Sequence, residues 1–160
     1  MTPDTLNDQL VKYLADAHAI EEQALAQMKR APRIAGEPGL AQIFREHEIE
    51  TLEHERLIRQ RLEAHDAQPS TLKELVMRAG GAGFAIFAQL NPDTPGKLTA
   101  HAYSYEHLEF ASYELLQRVA ARAGDTKTEL VAKRIAEQER AMGERLAAHF
   151  DAAVDASLRD

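Results

Sequence analysis

Apolar residues recur at alternating intervals of three and four along four stretches of the chain, the spacing that gives a helix one buried face. The first stripe reads Leu10, Leu14, Ala17, Glu21, Ala24, Met28, and the second reads Leu40, Ile43, His47, Glu50, His54, Leu57. The third takes in Ala102, Tyr105, Glu109, Ser112 and Leu116, with Glu106 on its edge, and the fourth takes in Ile135, Glu139, Met142 and Leu146. Capping residues, prolines and glycines set the bounds. Thr2-Pro3 opens a helix to about residue 30, and the Pro- and Gly-rich stretch Ala31–Gly39 is a loop. A second helix spans about 39–65. Thr94-Pro95 opens a third, over about 95–123, which Gly124 closes. A capping box of Thr126 and Glu129 starts a fourth, over about 127–157. The connection between the second and third carries a short helix at about 71–78 and the glycine-rich run Gly80–Phe84. Two long helices, a long connection and two more long helices predict an all-α fold. It is a four-helix bundle with one long crossover, the ferritin-like topology, and residues 1–160 form a single domain.

Composition narrows the function. A chain of 160 residues can bury roughly 68–70% of its unfolded surface, enough to fold without a disulfide or a structural metal. It has no cysteine, which removes thiolate metal sites, iron–sulfur clusters and cysteine nucleophiles. A net charge of −7 without a basic block argues against nucleic-acid or anionic-membrane partners. No signal peptide is visible, and the longest apolar stretch, Ala79–Ala88, is too short to span a bilayer, so the expected location is the cytoplasm.

The chemistry lies in the interruptions of the stripes. Each contains a glutamate near mid-helix: Glu21, Glu50, Glu109 and Glu139. A lone glutamate on such a seam ordinarily extends its stem and reaches water. Four at similar depth, with Glu21 and Glu50 separated by 29 residues and Glu109 and Glu139 by 30, indicate two matching helical hairpins, each giving half a site. Carboxylates converging in a core repel one another unless something positive lies between them, and a pair of divalent metal ions is the simplest such thing. His54, one turn after Glu50, is the best nitrogen ligand; His47 is a ligand or a hydrogen-bonding partner of one. His18 precedes Glu21 by one turn and is placed to bond it. His65, His101 and His149 lie too far along their helices to reach the centre, and His107 points away from it. Tyr113, four residues after Glu109, is a core tyrosine or a hydrogen-bond donor to a carboxylate.

The runs Tyr13-Leu14-Ala15-Asp16 with Glu21, Glu46-His47 with Glu50-Thr51 and His54, and Glu106-His107-Leu108-Glu109 with Tyr113 resemble the YciE/YciF family of bacterial ferritin-like proteins. The resemblance covers roughly Leu10 to Ala147. It implies a homodimeric bundle associated with stress responses. The Glu106/Glu109 pair and the 33 residues from Glu106 to Glu139 are also similar to rubrerythrin-type di-iron proteins. Carried over, that similarity implies Glu21 as a terminal ligand, Glu50 as a bridging ligand and His54 as the nitrogen ligand of one half. Glu106 and Glu139 would serve the other half, with Glu109 bound or switching with oxidation state. The pattern departs from the Glu-x-x-His of ferritin-like sites. Glu53 stands three after Glu50, and Met142 and Gly143 stand three and four after Glu139, so the second half lacks a histidine.

These readings lead to a protein binding two iron ions per chain, or manganese, and reducing peroxide or oxygen. Without cysteine it would draw on an external electron donor. A storage cage is not expected, since no short fifth helix follows the fourth. The alternative is a non-catalytic dimeric stress or interaction protein whose seam carboxylates face a dimer interface or are satisfied by tyrosines, water and arginines such as Arg45, Arg56, Arg59 and Arg61. A haem bundle with histidine and methionine ligands ranks behind both.

Overall fold

The structure, a computed structural model, describes residues 3–67 and 92–159. Among these the ordered elements are all helical: α1 (Pro3–Met28), α2 (Ala31–Ile34), α3 (Pro38–Glu63), α4 (Pro95–Ala123), α5 (Thr126–Ala147) and α6 (Phe150–Ser157). The predicted short helix at 71–78 and the Gly80–Phe84 run lie outside the described residues.

The helix starts are fixed by side chains that take up otherwise unpaired backbone N–H groups. The Glu37 carboxylate accepts from the N–H groups of Gly39 and Leu40 ahead of α3, and Thr94 Oγ1 accepts from Lys97 N ahead of α4. Proline follows each of these caps, as the sequence indicates for Thr94, whereas the Glu37 cap falls in the stretch expected to be a loop. α5 is capped by Asp125, whose carboxylate accepts from Thr128 N at 3.0 Å, rather than by the expected Thr126–Glu129 box. Gly124 closes α4 with φ 76°, a left-handed conformation that glycine adopts without strain.

Two further boundaries differ from expectation. The loop after α1 contains a helical turn, α2, begun at a proline-compatible position. The expected fourth helix is broken at Ala148–His149, where the His149 ring donates from Nδ1 to the Arg145 carbonyl at 2.8 Å. The chain then turns as α6 to pack on the start of α4: Ala153 is buried, and Gly96 N donates to Ser157 Oγ at 2.8 Å. A short segment therefore does follow the fourth bundle helix, contrary to the premise used against a cage. Gly36 (φ 73°) is where this junction is tightest, because a Cβ there would lie 2.5 Å from Pro95 Cγ.

Two apolar clusters give the bundle its direction. One gathers Leu10, Leu14, Ile58, Leu62, Leu116, Ala132 and Ile135; the other gathers Met28, Leu40, Phe44, Leu98, Met142 and Leu146. α1 and α5 thus run from the first cluster to the second, and α3 and α4 run back. Parallel α3 and α4 are the arrangement of a ferritin-like bundle with one long crossover. The mid-helix level lies between the clusters, and the interrupted seams meet there. No described helix is long and apolar enough to cross a membrane.

Candidate metal centre

At that level Glu21 of α1, His47 and His54 of α3, Glu106 and Glu109 of α4, and Glu139 of α5 all point inward, each at most 1% exposed. Helical periodicity accounts for this. Glu21 and Glu139 continue the apolar stripes of their helices, and Glu106 and Glu109 are three apart and so share a face. His47 and His54 are seven apart, two turns along one face.

The six side chains form two overlapping groups, in each of which one nitrogen or oxygen from every residue lies within 4.8 Å of the others. One holds His47, Glu106, Glu109 and Glu139, and the other holds Glu21, His54 and Glu139. Glu139 lies between them. Its Oε2 is 3.5 Å from His47 Nε2, while its Oε1 is 2.8 Å from His54 Nδ1. His47 Nε2 is 3.1 Å from Glu106 Oε2, and His54 Nδ1 is 3.6 Å from Glu21 Oε1.

These atoms approach without the alignment of hydrogen bonds. Nine buried side-chain oxygens and nitrogens among the described residues make no hydrogen bond, and all nine belong to these six residues. They are Glu21 Oε2, His47 Nε2, His54 Nδ1 and both oxygens of Glu106, Glu109 and Glu139. Buried polar atoms are ordinarily paired, so an orphaned set confined to one layer asks for a ligand. Four carboxylates carry four negative charges, which two dipositive ions would balance, and carboxylate with imidazole suits iron or manganese. The residues present fit a pair of such ions.

Electrostatics agree. Burial, followed by neighbouring carboxylates, holds Glu109 well above the usual carboxylate range. Glu21 is pushed up to about 8, chiefly by burial, and Glu139 to about 7, chiefly by burial. Burial alone would lower both histidines, but Glu106 beside His47 and Glu139 beside His54 raise them. Each of these shifts favours the protonated side chain.

The outer contacts tie the ligand candidates down. His47 Nδ1–H donates to Glu50 Oε2 at 3.2 Å, and His54 Nε2–H donates to Gln138 Oε1 at 3.3 Å. The Tyr113 hydroxyl, fully buried, donates to Glu21 Oε1. Tyr105 donates to the Ile20 carbonyl at 3.0 Å.

Of the residues singled out by sequence, Glu21, His54, Glu106, Glu109 and Glu139 come together, and His47 joins them as an inward member. Glu50 does not. Its side chain is 40% exposed, it belongs to neither group, and it approaches the centre only through His47. The reason is a choice of register. From His47 the buried face passes through Thr51, His54, Ile58 and Leu62, not through Glu50 and Leu57. The stripe through Glu50 and Leu57 leads on to Arg61, whereas the one through Thr51 and Ile58 ends on Leu62. That difference in the sequence marks the correct face.

His18 bonds Glu55 at 2.9 Å instead of Glu21. At the position three after Glu139, where the ferritin-like pattern has a histidine, Met142 is buried in the second apolar cluster. A Cβ on Gly143 would lie 3.1 Å from His107 Cε1 and 3.8 Å from Glu106 Cβ, so α5 abuts α4 there. Both nitrogen donors come from α3 instead. Gln138, which sequence reasoning passed over, carries only the signal of standing beside Glu139. The arginines lie elsewhere: Arg56 pairs with Glu53, Arg59 with Glu55 and Arg61 with Asp125.

Comparison with known proteins places this geometry in context. The profile of a family described as a domain of unknown function, DUF892, matches residues 5–159. A protein of Xanthomonas campestris pv. campestris is similar at 28% identity and TM-score 0.77, over 94% of both chains. The Escherichia coli stress protein YciF is similar at 22% identity and TM-score 0.69, over 97% of this chain and 98% of that one. Desulfovibrio desulfuricans bacterioferritin, a protein with a di-iron site, shares the fold at 18% identity and TM-score 0.75, over 94% of this chain and 83% of its own.

Proposed function

The chain belongs to the family described as a domain of unknown function (DUF892), the ferritin-like group that includes YciF, and we propose that it is a carboxylate-bridged di-metal protein that reduces peroxide or dioxygen at a pair of iron ions. The observation that carries this reading is the confinement of all nine orphaned buried polar atoms, among the described residues, to Glu21, His47, His54, Glu106, Glu109 and Glu139. His47, Glu106 and Glu109 would hold one ion and Glu21 and His54 the other, with Glu139 shared between them.

When bound, an iron pair supplies electrons to the oxidant by passing between ferrous and ferric states. The chain's own residues do the rest. The apolar clusters on either side exclude water, and Tyr113 fixes one oxygen of Glu21 so that the other is left to bind. A chain without cysteine has no thiol to restore the reduced state, so turnover requires an external electron donor. The proposed setting is a cytoplasmic homodimer acting under stress. The non-catalytic alternative needs protein partners for the seam carboxylates. Among the described residues Tyr113 donates to Glu21 alone, His47 and His54 stand beside Glu106 and Glu139 without bonding them, and both oxygens of Glu106, Glu109 and Glu139 stay without a hydrogen bond.

The test is anaerobic loading with two equivalents of Fe(II), then addition of peroxide or air, with the rise of ferric absorbance followed by stopped flow. Rapid oxidation in the wild type, and its loss in Glu139→Ala, is the expected result. Oxidation no faster than that of free Fe(II) would reject the redox role.

A further inference from the structure

The two groups of ligand candidates are unlike, and their differences all favour the same one. The first offers three carboxylates with one imidazole, and the second offers two carboxylates, one of them shared, with one imidazole. The histidines also face the centre with opposite nitrogens. His47 presents Nε2 and donates from Nδ1 to a carboxylate, Glu50, whereas His54 presents Nδ1 and donates from Nε2 to a neutral amide, Gln138. An anionic acceptor on the far nitrogen of an imidazole raises its basicity more than a neutral one does, and it fixes the tautomer. In the second group, Glu21 already gives one oxygen to the Tyr113 hydroxyl, which draws electron density from that ligand.

Resting on the di-metal reading above, we infer that the two positions are unequal: the one built by His47, Glu106, Glu109 and Glu139 binds its ion more tightly and fills first. Glu50 is the positioning residue that makes it so by acting through His47. The half-exposed carboxylate that sequence reasoning placed among the ligands thus acts from outside, and Gln138 is its weaker counterpart for His54.

Two measurements test this. In the first, metal-free protein is titrated with Co(II) under anaerobic conditions and the visible absorbance is resolved into stepwise affinities. Two unequal steps are expected. Glu50→Gln, which keeps the shape and removes the charge, should weaken the first step by about 10–100-fold and leave the second within about twofold. Gln138→Ala should weaken only the second. Thermal melts of the metal-free variants check that the bundle is intact.

The second measurement needs no variant. Long-range nitrogen–proton NMR of the Zn(II)-loaded wild type should show His47 bound through Nε2 with its proton on Nδ1, and His54 the reverse. Equal steps, an unchanged first step in Glu50→Gln, or both histidines bound through the same nitrogen would overturn the inference while leaving the di-metal reading standing. Failure of the wild type to bind Co(II) or Zn(II) would instead remove the reading on which it rests.

Discussion

Raising the pH should destabilise the metal-free bundle, and adding metal should reverse that trend. In the folded, metal-free chain Glu21 titrates near 8 and Glu139 near 7, against 4.5 for an ordinary glutamate. A group whose folded pKa is raised contributes stability that is complete below its unfolded pKa and is lost as the pH climbs through its folded value. His47 and His54 are raised as well, so they act in the same direction. At about 1.4 kcal/mol per pKa unit, the displacement of Glu21 alone corresponds to about 5 kcal/mol. Glu139 titrates as its coupled partner in the same direction, so the expected fall between about pH 5 and about pH 8.5 is no less than on the order of 5 kcal/mol. For a chain of this size that is about 10–20 °C in melting temperature. The assay is circular dichroism melting of chelator-treated protein across that range, with and without excess Mn(II). Protons compete with metal for the same oxygens, so the metal-loaded protein should become more stable as the pH rises. A metal-free melting temperature that is flat or rises with pH would refute the reasoning, as would a metal-loaded series parallel to it.

Other perturbations have equally definite outcomes. Tyr113→Phe leaves Glu21 Oε1 without its buried donor and should lower metal-free stability by about 1–3 kcal/mol in a urea titration. Gly36→Ala must place a methyl against Pro95 at a positive φ, and its denaturation midpoint should fall by the equivalent of about 2 kcal/mol. Asp125→Ala removes the α5 cap together with the partner of Arg61 and His65, which should lower stability by about 2 kcal/mol at neutral pH. Despite its partial burial, hydrogen bonds from Thr128, His65 and Arg61 hold Asp125 below the usual carboxylate range. Its contribution is therefore present above about pH 4 and lost on acidification, so mutant and wild-type melting curves should converge as the pH falls.

The four bundle helices and their polar interruptions were legible in the sequence because helical periodicity and the rarity of buried glutamate are strong local signals. Glu21 and Glu139 each continue a stripe whose other members are apolar, and there the sequence pattern and the burial agree. α3 was ambiguous at one point. Between His47 and His54 an interval of seven can pass through position 50 or position 51, and only the next turns, Ile58 and Leu62 against Leu57 and Arg61, decide it. The break at His149 was not legible, since it depends on a ring bonding back to the Arg145 carbonyl and on α6 finding a surface on α4. Nor was the origin of both inward nitrogens on α3, because spacing alone left His47 open between a ligand and a hydrogen-bonding partner of one.

The most direct test of the central claim is the metal content of the protein, measured by inductively coupled plasma mass spectrometry after loading with iron and removal of the unbound ions. Two ions per chain in the wild type, and fewer in Glu139→Ala, is the predicted result, because that carboxylate lies in both groups of ligand candidates. No bound metal, in a bundle whose melting temperature is the same with and without chelator, would contradict the account.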